Sequence, residues 1–256
     1  MEWRELLRSP VGGDHIVRLY DDDASLCDSV VEYLAPALEG SEAAIVIATP
    51  SHRTRFAEAL AARLDIRFLS DEGRLCLLDA EETLARFMRG GAPDEPAFRE
   101  AVGGLIASMR RRFGAVRAYG EMVDVLWQQG ARAAAIALEE QWNRLAEQQP
   151  FTLFCAYRMD GLSDEAYAGP LQCVCGTHTH FIPSTDDRAL EAAVLAASRE
   201  VLDEPLARMM LALADRTPGA TAMPRAQKAL FWLHRNMPLT AGDVLARVRS
   251  RVGSAA

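Results

Sequence analysis

Glu121 stands directly behind the apolar run Val116–Tyr119 and Gly120. A carboxylate placed just after a buried strand sits where open α/β sheets bind ligands or carry out chemistry. Such a residue can orient a water, hold a ligand, or favour the start of a following helix through the macrodipole; both the functional and the capping reading stay open here. Glu139 and Asn143 are four apart in an Arg/Ala-rich helical stretch, so they share one face and can present a polar patch while Trp142 packs elsewhere. His15 opens the run HIVRLY, Tyr20 closes it, and Asp21-Asp22-Asp23 follows. Acidic residues after a strand can hold a cation or cap the next helix, and capping by Asp22 or Asp23 requires nothing further. Cys173-x-Cys175-x-x-His178-x-His180 gathers four soft or borderline donors within eight residues and invites a zinc reading. The spacing argues against it. No Cys-x-x-Cys knuckle is present, and on a strand at Gln172–Cys175 both thiols would point to one face and fail to meet both imidazoles. His178 and His180 are read as a pair at a strand end lining a pocket, with a purely structural role as the alternative, and no metal ligand set is assigned.

These residues need a frame. HIVRLY at 15–20 reads as a strand, followed by a helix whose stripe is Leu26, Val30, Val31, Leu34 and Leu38 and which Gly40 stops. AAIVIAT at 43–49 is a near-continuous apolar run, as expected of a strand covered on both faces. Pro50-Ser51 starts another helix, LCLLD at 75–79 is a third strand ending on Asp79, and helices follow at 80–88 and 95–113 around a Gly-Gly-Ala-Pro break. Strand 116–119, helices at 121–128 and 131–148, and strand 151–157 complete an alternation that predicts a three-layer α/β domain with a mostly parallel sheet. Past Pro183 the composition turns Ala/Leu/Glu/Arg-rich without strand signals. This predicts an all-helical C-terminal appendage: helices at 186–214, a loop at 217–223, then a hairpin at 225–235 and 241–252. The expected division is 1–184 and 185–256.

The composition narrows the functions. Half of the 256 residues are hydrophobic and a quarter charged, an ordinary globular balance, and the net charge of −8 offers no overall positive field for nonspecific nucleic-acid binding. Among the 28 basic residues Lys228 is the only lysine, and no glycine loop precedes it. The P-loop, which needs a lysine on the terminal phosphates, is absent. So are a Gly-x-Ser-x-Gly elbow and a dinucleotide fingerprint. The polar start MEWRELLRSPVGGDH does not read as a secretory signal, no apolar run is long enough to span a membrane, and five cysteines make no even framework; a cytoplasmic setting with reduced thiols is expected.

Several stretches together resemble the MEDS family, the methanogen/methylotroph sensory domain: DHIVRLYDDD at 14–23, GSEAAIVIATPSHR at 40–53, LLDAEETLARFM at 77–88, VRAYGEMVDVLWQQG at 116–130, ALEEQWNRL at 137–145, FTLFCAY at 151–157 and CGTHTHFIP at 175–183. The resemblance covers about 12–184 in order. It implies a sensory domain with a fold related to the RecA/circadian-clock ATPase group, proposed in the family to sense small hydrocarbon derivatives. Carried over by position, it implies ligand-binding roles for His15, Tyr20, Asp21, Glu121, Glu139, Asn143 and His178, to which the residue reading adds His180. More loosely, 225–252 resembles the helical RNA-binding ANTAR module of antitermination proteins. There Arg225, Lys228, Arg235 and Arg247 would meet RNA or a protein partner.

The expectation is a cytoplasmic, non-enzymatic sensor that binds a small molecule at strand carboxyl ends and signals through its C-terminal helices to a partner or a second copy, as a homodimer. No cofactor is assigned. The alternatives are a divergent nucleotide hydrolase that uses Glu121 to orient water, with Asp21 or Asp79 on a metal and arginines such as Arg18, Arg53 and Arg117 in place of the missing lysine, and an RNA-binding regulator.

Overall fold

The computed structural model describes residues 3–167, 170–182, 187–216 and 223–253. The chain divides into two compact units, Met1–Arg158 and Met159–Ala256. The boundary expected near Ser184 and most of the loop expected at 217–223 lie outside the described residues.

The first unit is an α/β domain. Its strands are β1 (His15–Tyr20), β2 (Ala43–Ala48), β3 (Leu75–Asp79), β4 (Val116–Gly120) and β5 (Thr152–Arg158). Within this unit they run in the order β3-β2-β4-β5-β1, and every pair is parallel. β1, β2 and β4 are buried along their whole length, as strands covered on both faces are, with His15, Arg18 and Arg117 the polar side chains among them. Helix α1 (Asp23–Glu39) carries the chain from β1 past two strands to β2, and α2 (Pro50–Ala61) continues in the same direction to β3. From β3 the chain returns through α3 (Ala80–Phe87) and a stretch at 95–113, and α4 (Met122–Gln128) with α5 (Arg132–Gln148) leads from β4 to β5. Right-handed crossovers place α1 and α2 on one face and the returning helices on the other, giving three layers. The helix contacts agree: α1 packs on α2, and α3 packs on α4.

Local signals set these elements. Asp22 caps α1 by accepting from the Ser25 amide, as the acidic turn suggested, and Asp79 caps α3 by accepting from the amides of Glu81 and Glu82. Pro50 occupies the first turn of α2, where its missing N–H costs nothing. The helix expected at 95–113 is continuous but contains a π-helical turn at Arg99–Gly103, and the Gly-Gly break before it is a small hairpin pairing Met88–Arg89 with Ala92–Pro93. Short helices at Trp3–Arg8 and Ile66–Asp71 have too few periodic positions to stand out in the sequence.

Aromatic side chains fill both inter-layer spaces. On the α1/α2 face Phe56, Tyr119, Phe154 and Tyr33 form a chain of edge-to-face contacts with centroids 5.3–5.5 Å apart. On the other face Phe87, Phe98, Trp142 and Phe151 are linked at 5.2–5.9 Å. Arg117, near the amino end of β4, is buried and bonded to the carbonyls of Leu7, Arg8 and Tyr33 and to Glu42.

The second unit is mostly helical. Its longer helices are α6 (Asp187–Leu202), α7 (Glu204–Ala214), α8 (Arg225–Asn236) and α9 (Pro238–Gly253). α6 packs on α9, α7 on α8, and α8 on α9. The strand expected at Gln172–Cys175 is not formed: Pro170–Thr177 is a helix, and the strand follows it at His180–Ile182. Proline at the first helical position explains the difference, since it presets the helical φ. Among the described residues no helix is long and apolar enough to cross a membrane.

Candidate functional site at the carboxyl ends of the strands

From β2 the chain leaves toward β3, and from the neighbouring β4 it leaves in the opposite direction toward β5. The crevice between the carboxyl ends of β2 and β4 is thus the topological switch point, the place where open α/β sheets bind ligands. Glu121 occupies it. The residue stands at the N-cap position of α4, yet its side chain makes no capping bond. It reaches across to the segment after β2. Oε1 accepts from the Tyr119 hydroxyl at 2.7 Å and from His52 Nδ1 at 2.7 Å, while Oε2 accepts from the Thr49 amide at 2.9 Å. The carboxylate is 1% exposed and engaged through both oxygens. The capping alternative is therefore set aside at this residue: the carboxylate binds the opposing loop.

His52 links this buried carboxylate to a polar rim. Its Nε2 lies 3.6 Å from Asp23, and its ring stacks on Phe56 and meets Tyr20 edge-on. The bond to Glu121 raises the imidazole above its ordinary pKa, opposed by burial and assisted by the nearby charges of Glu121 and Asp23. Tyr20 donates to Asp124 at 3.3 Å, and Asp124 also accepts from the Arg158 amide and the Gln128 side chain. Burial pushes the Asp124 carboxyl up, and burial together with Asp124 pushes the Tyr20 phenol up. Arg158 reaches Asp23 at 3.4 Å and lies over the Tyr20 ring. Asp21, the other residue of the acidic turn assigned to the site, is exposed.

A second polar group lies on the α5 face of the sheet. Strand pleating puts Cys155 and Tyr157 of β5 on one side, facing the Glu139/Asn143 patch of α5 that the helical spacing anticipated. His15 of β1 bonds Asn143 Oδ1 through Nδ1 at 2.7 Å, and its Nε2 lies 3.4 Å from both Cys155 Sγ and Glu139 Oε2. The Tyr157 hydroxyl donates to Glu139 Oε1 at 2.5 Å. Burial pushes the Glu139 carboxyl up to about 8, with the Tyr157 bond acting in the opposite sense, and burial beside Glu139 raises the Cys155 thiol well above its ordinary value. The donor atoms of His15, Glu139 and Cys155 fall within 4.8 Å of one another, so this group could hold a metal ion.

The residues assigned from sequence thus fall into separate places. Tyr20 and Glu121 belong to the switch-point cluster; His15, Glu139 and Asn143 belong to the buried cluster. His52, Tyr119 and Asp124 complete the first, and Cys155 and Tyr157 the second, without having been singled out. The signal His52 carries is its position, a histidine in the first turn of the helix that directly follows a buried strand. In the second unit His178 is buried and its Nδ1 lies 2.6 Å from the Val174 carbonyl, while His180 is half-buried on its short strand. Cys175 is buried, with its thiol pushed up to about 12 by burial. Arg225 pairs with Glu191 and Asp215, and Arg247 with Glu200; Arg235 is exposed and Lys228 half-buried.

The arginines offered as a phosphate cradle do not converge on Glu121. Arg117 is consumed at the opposite end of the sheet, Arg18 is buried on β1 and lies over the Trp3 ring, and Arg53 points to Asp79 at 3.9 Å. A cavity of about 680 Å³ beside the edge strand is lined by Arg53, Ala57, Leu64, Ile66, Arg67 and Leu77 and shares no residue with the Glu121 cluster.

The family model described as the methanogen/methylotroph, DcmR sensory domain, MEDS, matches residues 14–179, more than half of the chain. The match runs through both polar clusters and into the second unit. No curated protein matches the chain significantly.

Proposed function

The chain belongs to the MEDS family of sensory domains, and from that premise we propose that it is a cytoplasmic, non-enzymatic sensor of bacterial signal transduction or transcription control. Its ligand is a small molecule bound at the crevice between β2 and β4, with Tyr20, His52, Glu121 and Asp124 as the recognising side chains. The observation that carries this reading is the Glu121–His52–Thr49 bridge at the switch point. Both oxygens of Glu121 already accept from the protein, which suits a residue that positions a recognition surface better than one that activates water. Asp23 and Arg158 offer a charge of each sign at the rim, with the buried Tyr20 hydroxyl and His52 imidazole directly behind them, enough to select a small polar molecule.

Occupancy would shift α6–α9 between two arrangements, passing the signal to a protein partner or to a second copy in a homodimer. This requires that the ligand bind one arrangement more tightly than the other. The relation to the RecA/circadian-clock group is part of the same proposal, supported by the parallel sheet and its crossover helices. An RNA-binding output is disfavoured by the internal ion pairs of Arg225 and Arg247.

The test is a thermal-stability screen of the full chain against small alcohols, amines, carboxylic acids and nucleotides, repeated with His52→Ala. A ligand at a hundred times its Kd stabilises by about 2.7 kcal/mol, and the shift should vanish in the variant. Absence of any stabilising compound, or sustained ATP hydrolysis lost in Glu121→Gln, would overturn the sensor reading.

A further inference from the structure

We propose that His15, Glu139 and Cys155 form a binding site for a divalent transition-metal ion of the Zn²⁺ type, separate from the switch-point crevice. Three elements distant in sequence, β1, α5 and β5, deliver an imidazole nitrogen, a carboxylate oxygen and a sulfur to one point. All three residues are almost wholly buried, at 3%, 2% and 0% exposure.

The spacing fits an ion. Tetrahedral zinc with bonds of about 2.3 Å to sulfur and about 2.0–2.1 Å to nitrogen and oxygen separates an N,S pair by about 3.6 Å and an N,O pair by about 3.3 Å. Here His15 Nε2 lies 3.4 Å from Cys155 Sγ and 3.4 Å from Glu139 Oε2. Both edges that meet at the imidazole nitrogen thus lie within a few tenths of an ångström of the tetrahedral values, and the sulfur and carboxylate oxygen lie within 4.8 Å of each other.

The surrounding bonds are those that metal ligands use. A ligating histidine characteristically donates its other ring N–H to a carbonyl or carboxylate, which fixes the tautomer and aims the second nitrogen at the metal. His15 Nδ1 meets Asn143 Oδ1 at 2.7 Å, leaving Nε2 as the nitrogen directed at Glu139 and Cys155. A ligating carboxylate is likewise held by a bond to its other oxygen, and Tyr157 supplies one to Glu139 Oε1. Charge points the same way. One thiolate and one carboxylate balance a dication, so the bound ion would make a neutral cluster in a region where an uncompensated ion would be strongly disfavoured. Mixed sulfur, imidazole and carboxylate donors select Zn²⁺ or Co²⁺ over Mg²⁺ or Ca²⁺.

Cobalt titration of the full, chelator-treated chain tests the site, with circular dichroism to establish that the sample is folded. The expected result is binding of one equivalent of Co²⁺, with the absorption of tetrahedral cobalt and a near-ultraviolet thiolate-to-cobalt charge-transfer band. Cys155→Ser should remove that band, and Cys175→Ser should keep it. Asn143→Ala alters a half-buried supporting residue and spares the ligands; it should weaken Co²⁺ binding roughly tenfold or more. A folded wild-type chain without the band, a band that survives Cys155→Ser or disappears in Cys175→Ser, or unchanged affinity in Asn143→Ala each overturns the proposal.

Discussion

Replacing Glu121 by glutamine removes one charge from the switch point while preserving the shape of the side chain. Three donors face the carboxylate: Tyr119 Oη, His52 Nδ1 and the Thr49 amide. A glutamine brings one acceptor and one donor to the same places. With its oxygen toward Tyr119 and His52, its NH₂ meets the Thr49 N–H head-on; turned over, its NH₂ meets the other two. Bonds to a charged group contribute about 1.5–3 kcal/mol against about 0.5–1.5 for neutral ones, and a buried donor left unpaired costs about 1–3 kcal/mol. Glu121→Gln should therefore destabilise the first unit by about 2–4 kcal/mol at pH 6. The penalty should also depend on pH. Glu121 raises the folded-state pKa of His52 above its ordinary 6.5. The stability this contributes is fully present below the unfolded pKa and is lost as pH rises through the raised folded value. The variant lacks most of that contribution throughout, so its penalty should shrink between pH 6 and pH 9. Urea denaturation at the two pH values measures the penalty, and NMR titration of the His52 ring follows the pKa, which should fall in the variant. A cost below about 0.5 kcal/mol at pH 6, or the same cost at both pH values, would refute the bridge as the organising contact of the crevice.

Other substitutions probe the frame. Arg117→Ala leaves three main-chain carbonyls and Glu42 without their shared donor; it should cost about 2–4 kcal/mol and speed hydrogen exchange in the Trp3–Arg8 helix, and unchanged exchange there would count against the role given to it. Trp142→Ala empties a fully buried site between Phe98 and Phe151 and should cost about 3–5 kcal/mol in chemical denaturation. Asp79→Ala removes the cap of α3 and should cost about 1 kcal/mol. A loss several times larger in the same assay would mean that Asp79 does more than cap.

The sheet is legible because its strands, the edge strand β3 apart, are buried on both faces. HIVRLY, AAIVIA and TLFCAY carry no alternation, and helix-length periodic segments separate them. The strand order was not readable, because periodicity says which residues are buried and says nothing of which strand lies beside which. The pairing of His52 with Glu121 is illegible for that reason: the two are 69 positions apart, and only the adjacency of β2 and β4 brings them together. The Glu139/Asn143 patch was legible from helical spacing alone, whereas Cys155 and Tyr157 looked like core residues of an apolar strand and gain their polar role from what α5 places over them. The misread segment at Gln172–Cys175 shows the opposite failure, a short apolar run whose length fits a strand or a helix turn equally well.

The backbone N–H of Glu121 bonds the Ile47 carbonyl at 2.9 Å, continuing the ladder between β2 and β4, and its side chain then accepts the Thr49 amide. The carboxylate thus replaces the main-chain carbonyl that β4 ceases to offer once it bends into α4. In effect the two strands are one rung longer than their backbones alone would make them. Glu121→Asp would shorten the arm by one methylene and let the rung part, cutting the paired length back by about the 3.3 Å that one strand residue spans. A ligand that competes for the same rung must itself be an acceptor, an anion or a carbonyl compound, and its arrival would change the paired length of the sheet.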